Sequence, residues 1–179
     1  MTNYRRSNVA GASYFFTVNL ADRLSALLVE QIALLRAAFK YAQARHSFAI
    51  DAIAVLPDHL HAIWTLPAGD GDFAMRWRLI KTTFSRGLPH GEPRSASREA
   101  RGERGIWQRR YWEHLIRDDE DFARHADYIH INPVKHGHVK QAAEWPHSSF
   151  HRYVRAGILP LDWAGYATEE MDCGERNGD

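Results

Sequence analysis

Cysteine is all but missing from this chain of 179 residues: Cys173 stands alone, so no intrachain disulfide is available to it. No apolar run is long enough to read as a membrane span, and no charged-then-apolar leader follows Met1. The expectation is therefore a reducing, cytoplasmic setting. Internal repeats are absent too, and the length suits one domain with appendages that needs no staple to hold its core. Net charge is nearly absent, at +1. That small sum hides segregation. From Arg76 to Arg110 ten Arg or Lys face three Glu, whereas from Leu161 to Asp179 one Arg faces six acids. A basic middle points to a polyanionic ligand, and an acidic tail to an internal competitor for the same surface.

What is present reads as alternating strands and helices. Ser13 to Leu20 (SYFFTVNL) is aromatic and β-branched, the composition of a strand. Leu24, Leu27, Leu28, Gln31, Leu34, Leu35 and Ala38 then recur at helical spacing, with Asp22 as the expected N-cap. Phe48 to Leu56 predicts a strand covered on both faces, and Pro57-Asp58 turns it into a second strand, His59 to Leu66. A helix is expected over about Phe73 to Phe84, then a mobile Arg-rich loop over about 87–105, dense in Gly, Pro and Ser. Ile106 to Ile116 predicts a strand. Asp118 opens a helix from about Asp119 to Ile131, expected to stop ahead of Pro133. The order βαββαβα predicts an α+β fold: an antiparallel sheet with helices packed against it, of the split βαβ or ferredoxin-like kind. The domain is expected over residues 1–160, followed by the acidic tail at 161–179.

Two short segments carry the chemistry. In Pro57-Asp58-His59-Leu60-His61-Ala62-Ile63-Trp64, strand alternation places His59 and His61 on one face with Ile63, their β-carbons about 7 Å apart, so that two imidazoles converge on one ion. A His-x-His pair alone is more often structural. The second segment, Asp127-Tyr128-Ile129-His130-Ile131-Asn132-Pro133, puts a phenol and an amide oxygen one helical turn apart. Asn132 is then a third candidate metal ligand and Tyr128 a candidate nucleophile. Two nitrogens and one amide oxygen leave positions for water and phosphate oxygens, which suits Mg²⁺ or Mn²⁺ better than zinc. A phenol, with a free pKa of about 10, needs an electrophile that is activated and held in line. The combination points to phosphoryl transfer on DNA through a 5′-phosphotyrosyl intermediate that releases a 3′-hydroxyl.

These segments, with NYRR at Asn3 to Arg6, YFFTVNL, FAMRWRLIK, IWQRRYWEHLIRDDEDF, DYIHINPVKHGHVK, WPHSSFHRYV and the trailing DWAG, give a chain that resembles the REP-associated tyrosine transposases, a bacterial branch of the single-tyrosine HUH transposases. The likeness covers most of the sequence. It implies that His59 and His61 bind the metal, that Asn132 completes the site and that Tyr128 is the nucleophile. It also implies cleavage and rejoining of single-stranded hairpins formed by repetitive extragenic palindromes, an adjacent recognition tetranucleotide, a monomeric build and a place at the nucleoid. The Arg-rich insertion-like stretch, Pro89 to Arg104, is the main departure from the family pattern.

Basic and aromatic groups supply candidate DNA contacts. Arg78 and Lys81, beside Arg76 and Trp77, and Arg109 and Arg110, near Trp107, pair cations for phosphates with rings for bases. The lead segment Asn3, Tyr4, Arg5 and Arg6 suits the reading of splayed bases. Lys135 and Lys140 are placed to hold a hairpin backbone. Tyr111 and Tyr153 are rival tyrosines, read as structural because neither is followed one turn later by a candidate ligand. Two other functions compete: a DNA-binding protein that occupies repeats without cutting, and a zinc-dependent phosphoester hydrolase built on His59, His61 and His114.

Overall fold

The computed structural model describes residues 8–92 and 94–165. The aromatic segment forms β1, Ser13–Asn19. Helices α1 (Leu27–Glu30) and α2 (Ile32–Arg45) carry the chain to β2 (Ala49–Val55) and its hairpin partner β3 (His59–Thr65). Next come α3 (Phe73–Arg86), the single turn α4 (Ala96–Glu99), β4 (Trp112–Leu115) and α5 (Asp119–Lys135). A 3₁₀ turn at Ala142–Glu144 and α6 (Phe150–Arg155) follow. Strand order is β2-β3-β1-β4 with every neighbouring pair antiparallel. This is the split βαβ arrangement expected of an α+β ferredoxin-like fold.

Period-2 alternation divides the sheet into two unlike faces. Tyr14, Phe16 and Val18 of β1 and Leu60, Ala62 and Trp64 of β3 are buried against Leu35, Ala38 and Phe39 of α2 and Phe73, Trp77, Ile80 and Phe84 of α3. Trp64 and Trp77 stack at the centre with ring centroids 4.1 Å apart. The opposite face buries Phe15, Ala52, Ala54 and Ile63 beneath Ala126, Tyr128 and Ile129 of α5. His59 and His61 belong to this second face. The outer edge of β2 is covered by the C-terminal segment: His147 O accepts from Val55 N, and Ser149 donates its N–H to Ile53 O and accepts from Ile53 N at Oγ. An edge so paired no longer invites another strand.

Four sequence expectations change. The first helix begins at Leu27 and not at Asp22, because the Asp22 carboxylate accepts from Leu24 N in a local turn and leaves Leu24 outside, 97 % exposed. The strand expected over Ile106 to Ile116 shrinks to Trp112–Leu115, with a single bridge from Trp107 to Leu20 upstream. α5 runs through Pro133 to Lys135: the ring forfeits one helical hydrogen bond, yet His136 N again donates to Asn132 O at 3.0 Å. The Arg-rich stretch is clasped by Arg104, whose guanidinium forks onto Glu92 (2.6 and 2.7 Å) and donates to the carbonyls of Ser85, Leu88 and Pro89. Asn3, Tyr4, Arg5 and Arg6, and all of the acidic tail beyond Gly165, lie outside the described residues.

Candidate active site

The floor of the site is β3. His59 and His61, 1 % and 0 % exposed, lie with ring centroids 5.0 Å apart, as alternation requires. Each ring is oriented through Nδ1. Asp58 Oδ1 lies 2.7 Å from His59 Nδ1, and Thr17 Oγ1, on the neighbouring strand opposite His61, lies 2.9 Å from His61 Nδ1. An oxygen partner at Nδ1 presents Nε2 as the ligating nitrogen and fixes the ring plane. Asp58 is itself held by Arg23 Nε at 3.0 Å. Partial burial pulls the Asp58 carboxyl up, but the hydrogen bond and charge of His59 and the charge of Arg23 outweigh it and leave the group below its ordinary range.

The roof is α5. Asp118 caps its first turn by accepting from Asp121 N at 2.8 Å, and Asp119, Glu120 and Asp121 place negative charge at the positive end of the helix dipole. Tyr128 and Asn132, one turn apart, both turn inward and are buried. The Tyr128 ring lies edge-on to His61, centroids 5.3 Å apart, and Phe15 packs against both rings. Lys135 folds back so that its Nζ donates to the Tyr128 hydroxyl at 3.3 Å and sits 4.7 Å from the ring centroid. One further turn along, His136 brings its ring to 5.2 Å from His59. Two imidazoles on a strand, an amide on the facing helix and a phenol alongside form a donor set that fits a hard divalent cation with open positions for oxygen.

The structure thus gathers His59, His61, Tyr128 and Asn132 on one face, and adds Lys135 to them. Sequence reading missed Asp58 and Thr17 as the orienting partners. Asp58 had a signal, a carboxylate directly before the first histidine; Thr17 had none, because its role depends on strand register. The expected DNA contacts on α3 lie elsewhere, on the opposite side of the sheet. Arg76 is buried, bonded to Asp70, Asp72 O and Ser47 O, and its hydrogen bonds hold the Asp70 carboxyl down at about 2. Lys81 donates to Gln108 O beside the rings of Trp107 and Tyr111. Arg109 pairs with Glu103, while Arg78 and Arg110 are exposed. Arg78, Lys81 and Arg109 line a groove of about 770 Å³ between α3 and the clasped segment.

His114 does not join His59 and His61. It faces the same side of the sheet but stands opposite Phe15 on β4, where it stacks on His125 and bonds Asp121 Oδ2 at 2.8 Å. His114, Asp121 and His125 keep three ligand-type atoms within 4.8 Å of one another. The same carboxylate also takes Arg117 N and Nε and lies 3.6 Å from Arg124. Burial raises the Asp121 carboxyl, yet His114 and Arg117 hold it well below its ordinary range. With two guanidinium groups at one carboxylate, the cluster acts as a hydrogen-bonded tie between β4 and α5.

No family model matches the chain. The REP-associated tyrosine transposase of Escherichia coli strain K12 is 48 % identical over 176 residues, 98 % of this chain and 98 % of that protein. A protein of Haemophilus influenzae strain Rd, provisionally given the same name, is 49 % identical over 167 residues, 92 % and 94 % of the two chains. A solved REP-associated tyrosine transposase, bound to a REP hairpin, superposes with a TM-score of 0.86 at 47 % identity and covers 100 % of both chains. Identity of this order along nearly the whole length, on the same fold, places the chain within the REP-associated tyrosine transposases.

Proposed function

We propose that the chain is a metal-dependent, single-strand DNA endonuclease and strand transferase that cuts and rejoins hairpin-forming repetitive extragenic palindromes. The observation that carries this reading is the assembly of Tyr128 against His61, with Lys135 at its hydroxyl and Asn132 one turn on. The solved relative bound to a REP hairpin supports the class of substrate. In this reading the working unit is a monomer; the domain expected over residues 1–160 extends to Trp163, which packs against Ala142 and Phe150, and the acidic residues of the tail other than Asp162 follow it in sequence.

His59 and His61 through Nε2, and Asn132 through its amide oxygen, would hold Mg²⁺ or Mn²⁺. When bound, such an ion supplies Lewis-acid polarisation and a template for the phosphate oxygens. Tyr128 attacks phosphorus: its Oη–P bond forms as the P–O3′ bond breaks. The phenolic proton leaves, and the departing oxygen ends as a free 3′-hydroxyl. The Lys135 ammonium, donating to the phenol oxygen, favours the negative charge that gathers there as the proton departs. Phe15 and the buried wall of Ile63 and Ile129 hold the Tyr128 ring in one pose, so that attack does not wait on a side-chain search. The phosphotyrosyl ester conserves the energy of the broken bond. A second 3′-hydroxyl reversing the step therefore rejoins a strand.

Cleavage of a labelled oligonucleotide that carries a complete repeat and its flanks tests this reading. Product is expected with Mg²⁺ or Mn²⁺, none with EDTA, and a drop below detection in His59→Ala and His61→Ala. Cleavage that survives EDTA, or that is restored by zinc alone, contradicts it. Binding without cleavage in either metal favours a protein that occupies repeats instead of cutting them.

A further inference from the structure

The sheet face that carries His61 is not wholly roofed. α5 lies over β2 and β3, and the strand register extends one row of side chains beyond it: Ala54 on β2, His61 on β3, Thr17 on β1 and Trp112 on β4. Paired residues of an antiparallel sheet share a face, so the Trp112 indole stands on the same side as His61. Its Cα is about 10 Å from that of His61, two strand spacings away. The first three residues of the row are buried, and Trp112 is 41 % exposed. β4 is an edge strand, and no described residue offers the indole a ring or hydrogen-bond partner.

Of the other five tryptophans, Trp64 and Trp77 are buried in the core, Trp107 and Trp163 are nearly so, and the half-buried Trp145 is engaged, stacked on His138 with its Nε1 donating to Val55 O. The other exposed Phe, Tyr or Trp ring among the described residues, Tyr41, is covered by the Arg45 guanidinium 3.6 Å above it. Trp112 alone pairs exposure with a place in the row of the candidate site. The exposed Arg110 lies two residues before it, whereas Arg117 and Arg124 are held on Asp121 at the other end of β4. An upright indole on an open shelf with a guanidinium beside it in sequence suits an unpaired base.

Resting on the strand-cleavage reading above, we infer that Trp112 is a stacking platform for one unpaired nucleobase of the DNA strand, beside the phosphate that Tyr128 attacks. Its part is to set which phosphate reaches the phenol. Stacking is tolerant of base identity, so Trp112 would hold the strand's position while other contacts read sequence.

The test is an anisotropy titration of a labelled single-stranded oligonucleotide that carries a repeat hairpin and its unpaired flanks. The protein is the full chain with Tyr128→Phe, so that no strand is cut during binding. Trp112→Ala is expected to weaken binding about tenfold and Trp112→Phe to keep most of the affinity. A single abasic substitution at one flank position should weaken the parent by the same factor and cost nothing further in Trp112→Ala. Quenching of indole emission on binding should shrink in Trp112→Phe. Equal affinities of parent and Trp112→Ala overturn the inference, as does a loss unaffected by abasic sites at any position. A Trp112→Ala change in oligomeric state also overturns it, since Trp112 would then be an interface between protein copies. Strand binding with the Trp112 effect but no cleavage by the Tyr128 chain removes the cleavage reading and leaves the base platform standing. Cleavage with no Trp112 effect does the reverse, and no binding at all removes both.

Discussion

Lys135 shows how a side chain acquires a role through its neighbour. In the sequence it is one cation among many after a helix, suited to a phosphate backbone; in the fold it reaches back two helical turns to the Tyr128 hydroxyl. A charge-assisted hydrogen bond of this kind is worth about 1.5–3 kcal/mol. Lys135→Met should therefore slow strand cleavage by roughly 10- to 100-fold in single-turnover assays. Binding of the uncut oligonucleotide should fall far less; an equal loss in both would make Lys135 a phosphate contact. His130 couples the stability of the fold to pH. It is fully buried on α5, with Nε2 2.9 Å from Ser149 Oγ, and that hydroxyl accepts from Ile53 N, which leaves its own proton for the imidazole. Burial, reinforced by Arg152, pushes its pKa down to about 4. The folded state therefore resists a proton that the unfolded chain accepts near 6.5, and stability present above 6.5 is lost as pH falls toward 4. Desolvation also lowers His125, His138 and His147, so they act in the same direction. The His130 share is about 3 kcal/mol across that window. Urea unfolding at pH 7.0 and 4.5 should show the loss, and His130→Gln should flatten it; an unchanged slope would place the acid sensitivity elsewhere.

Among the elements, what was legible followed from strong local pattern, and what was not followed from long-range pairing. Alternation in HLHAIW put His59 and His61 on one face and Leu60, Ala62 and Trp64 on the other, and the structure has that division. The i, i+4 spacing put Tyr128 and Asn132 together on α5, and Asp118 was recognisable as its cap. Pro133 misled because the rule against interior proline counts one lost hydrogen bond, while the helix is held by the burial of Asn132, Pro133 and Tyr128 beneath it. The Ile106–Ile116 strand was overlong because Trp107 and Tyr111 pack against α3, and only Trp112 to Leu115 pairs with β1. The Arg-rich stretch was read as mobile from composition alone; in the fold Arg104 joins carbonyls and a carboxylate that are distant in sequence, and Arg98 and Arg109 add bonds to Trp107 O, Ser97 and Glu103. Arg104→Met should release that clasp. Limited trypsin digestion is expected to cut faster after Arg94, Arg98 or Arg101, with far-UV circular dichroism almost unchanged. Equal digestion rates would show that the segment is held by other contacts.

For the molecule as a whole, the sheet serves two masters. Its α2–α3 face carries the large aromatic core, and its α5 face carries the polar residues, held in place by that core's rigidity. The candidate site draws on three segments, around Thr17, His59 and Tyr128, so it exists only in the folded chain. No helix among the described residues is long and apolar enough to cross a membrane. Charge is segregated along the sequence, and three of the ten cations of the basic middle, Arg76, Arg104 and Arg109, pair with Asp70, Glu92 and Glu103. Arg78, Arg86, Arg94, Arg101 and Arg110 are left outward.

The proposed mechanism stands on a covalent bond between Tyr128 and DNA. The direct measurement is to incubate the protein with Mg²⁺ or Mn²⁺ and an oligonucleotide spanning a complete repeat, digest the product with protease and nuclease, and locate the nucleotide-bearing peptide by mass spectrometry. A 5′-phosphonucleotide is expected on the peptide that contains Tyr128, absent from Tyr128→Phe and from reactions with EDTA. An adduct on Tyr111 or Tyr153, or cleavage with no adduct on any tyrosine, would contradict it.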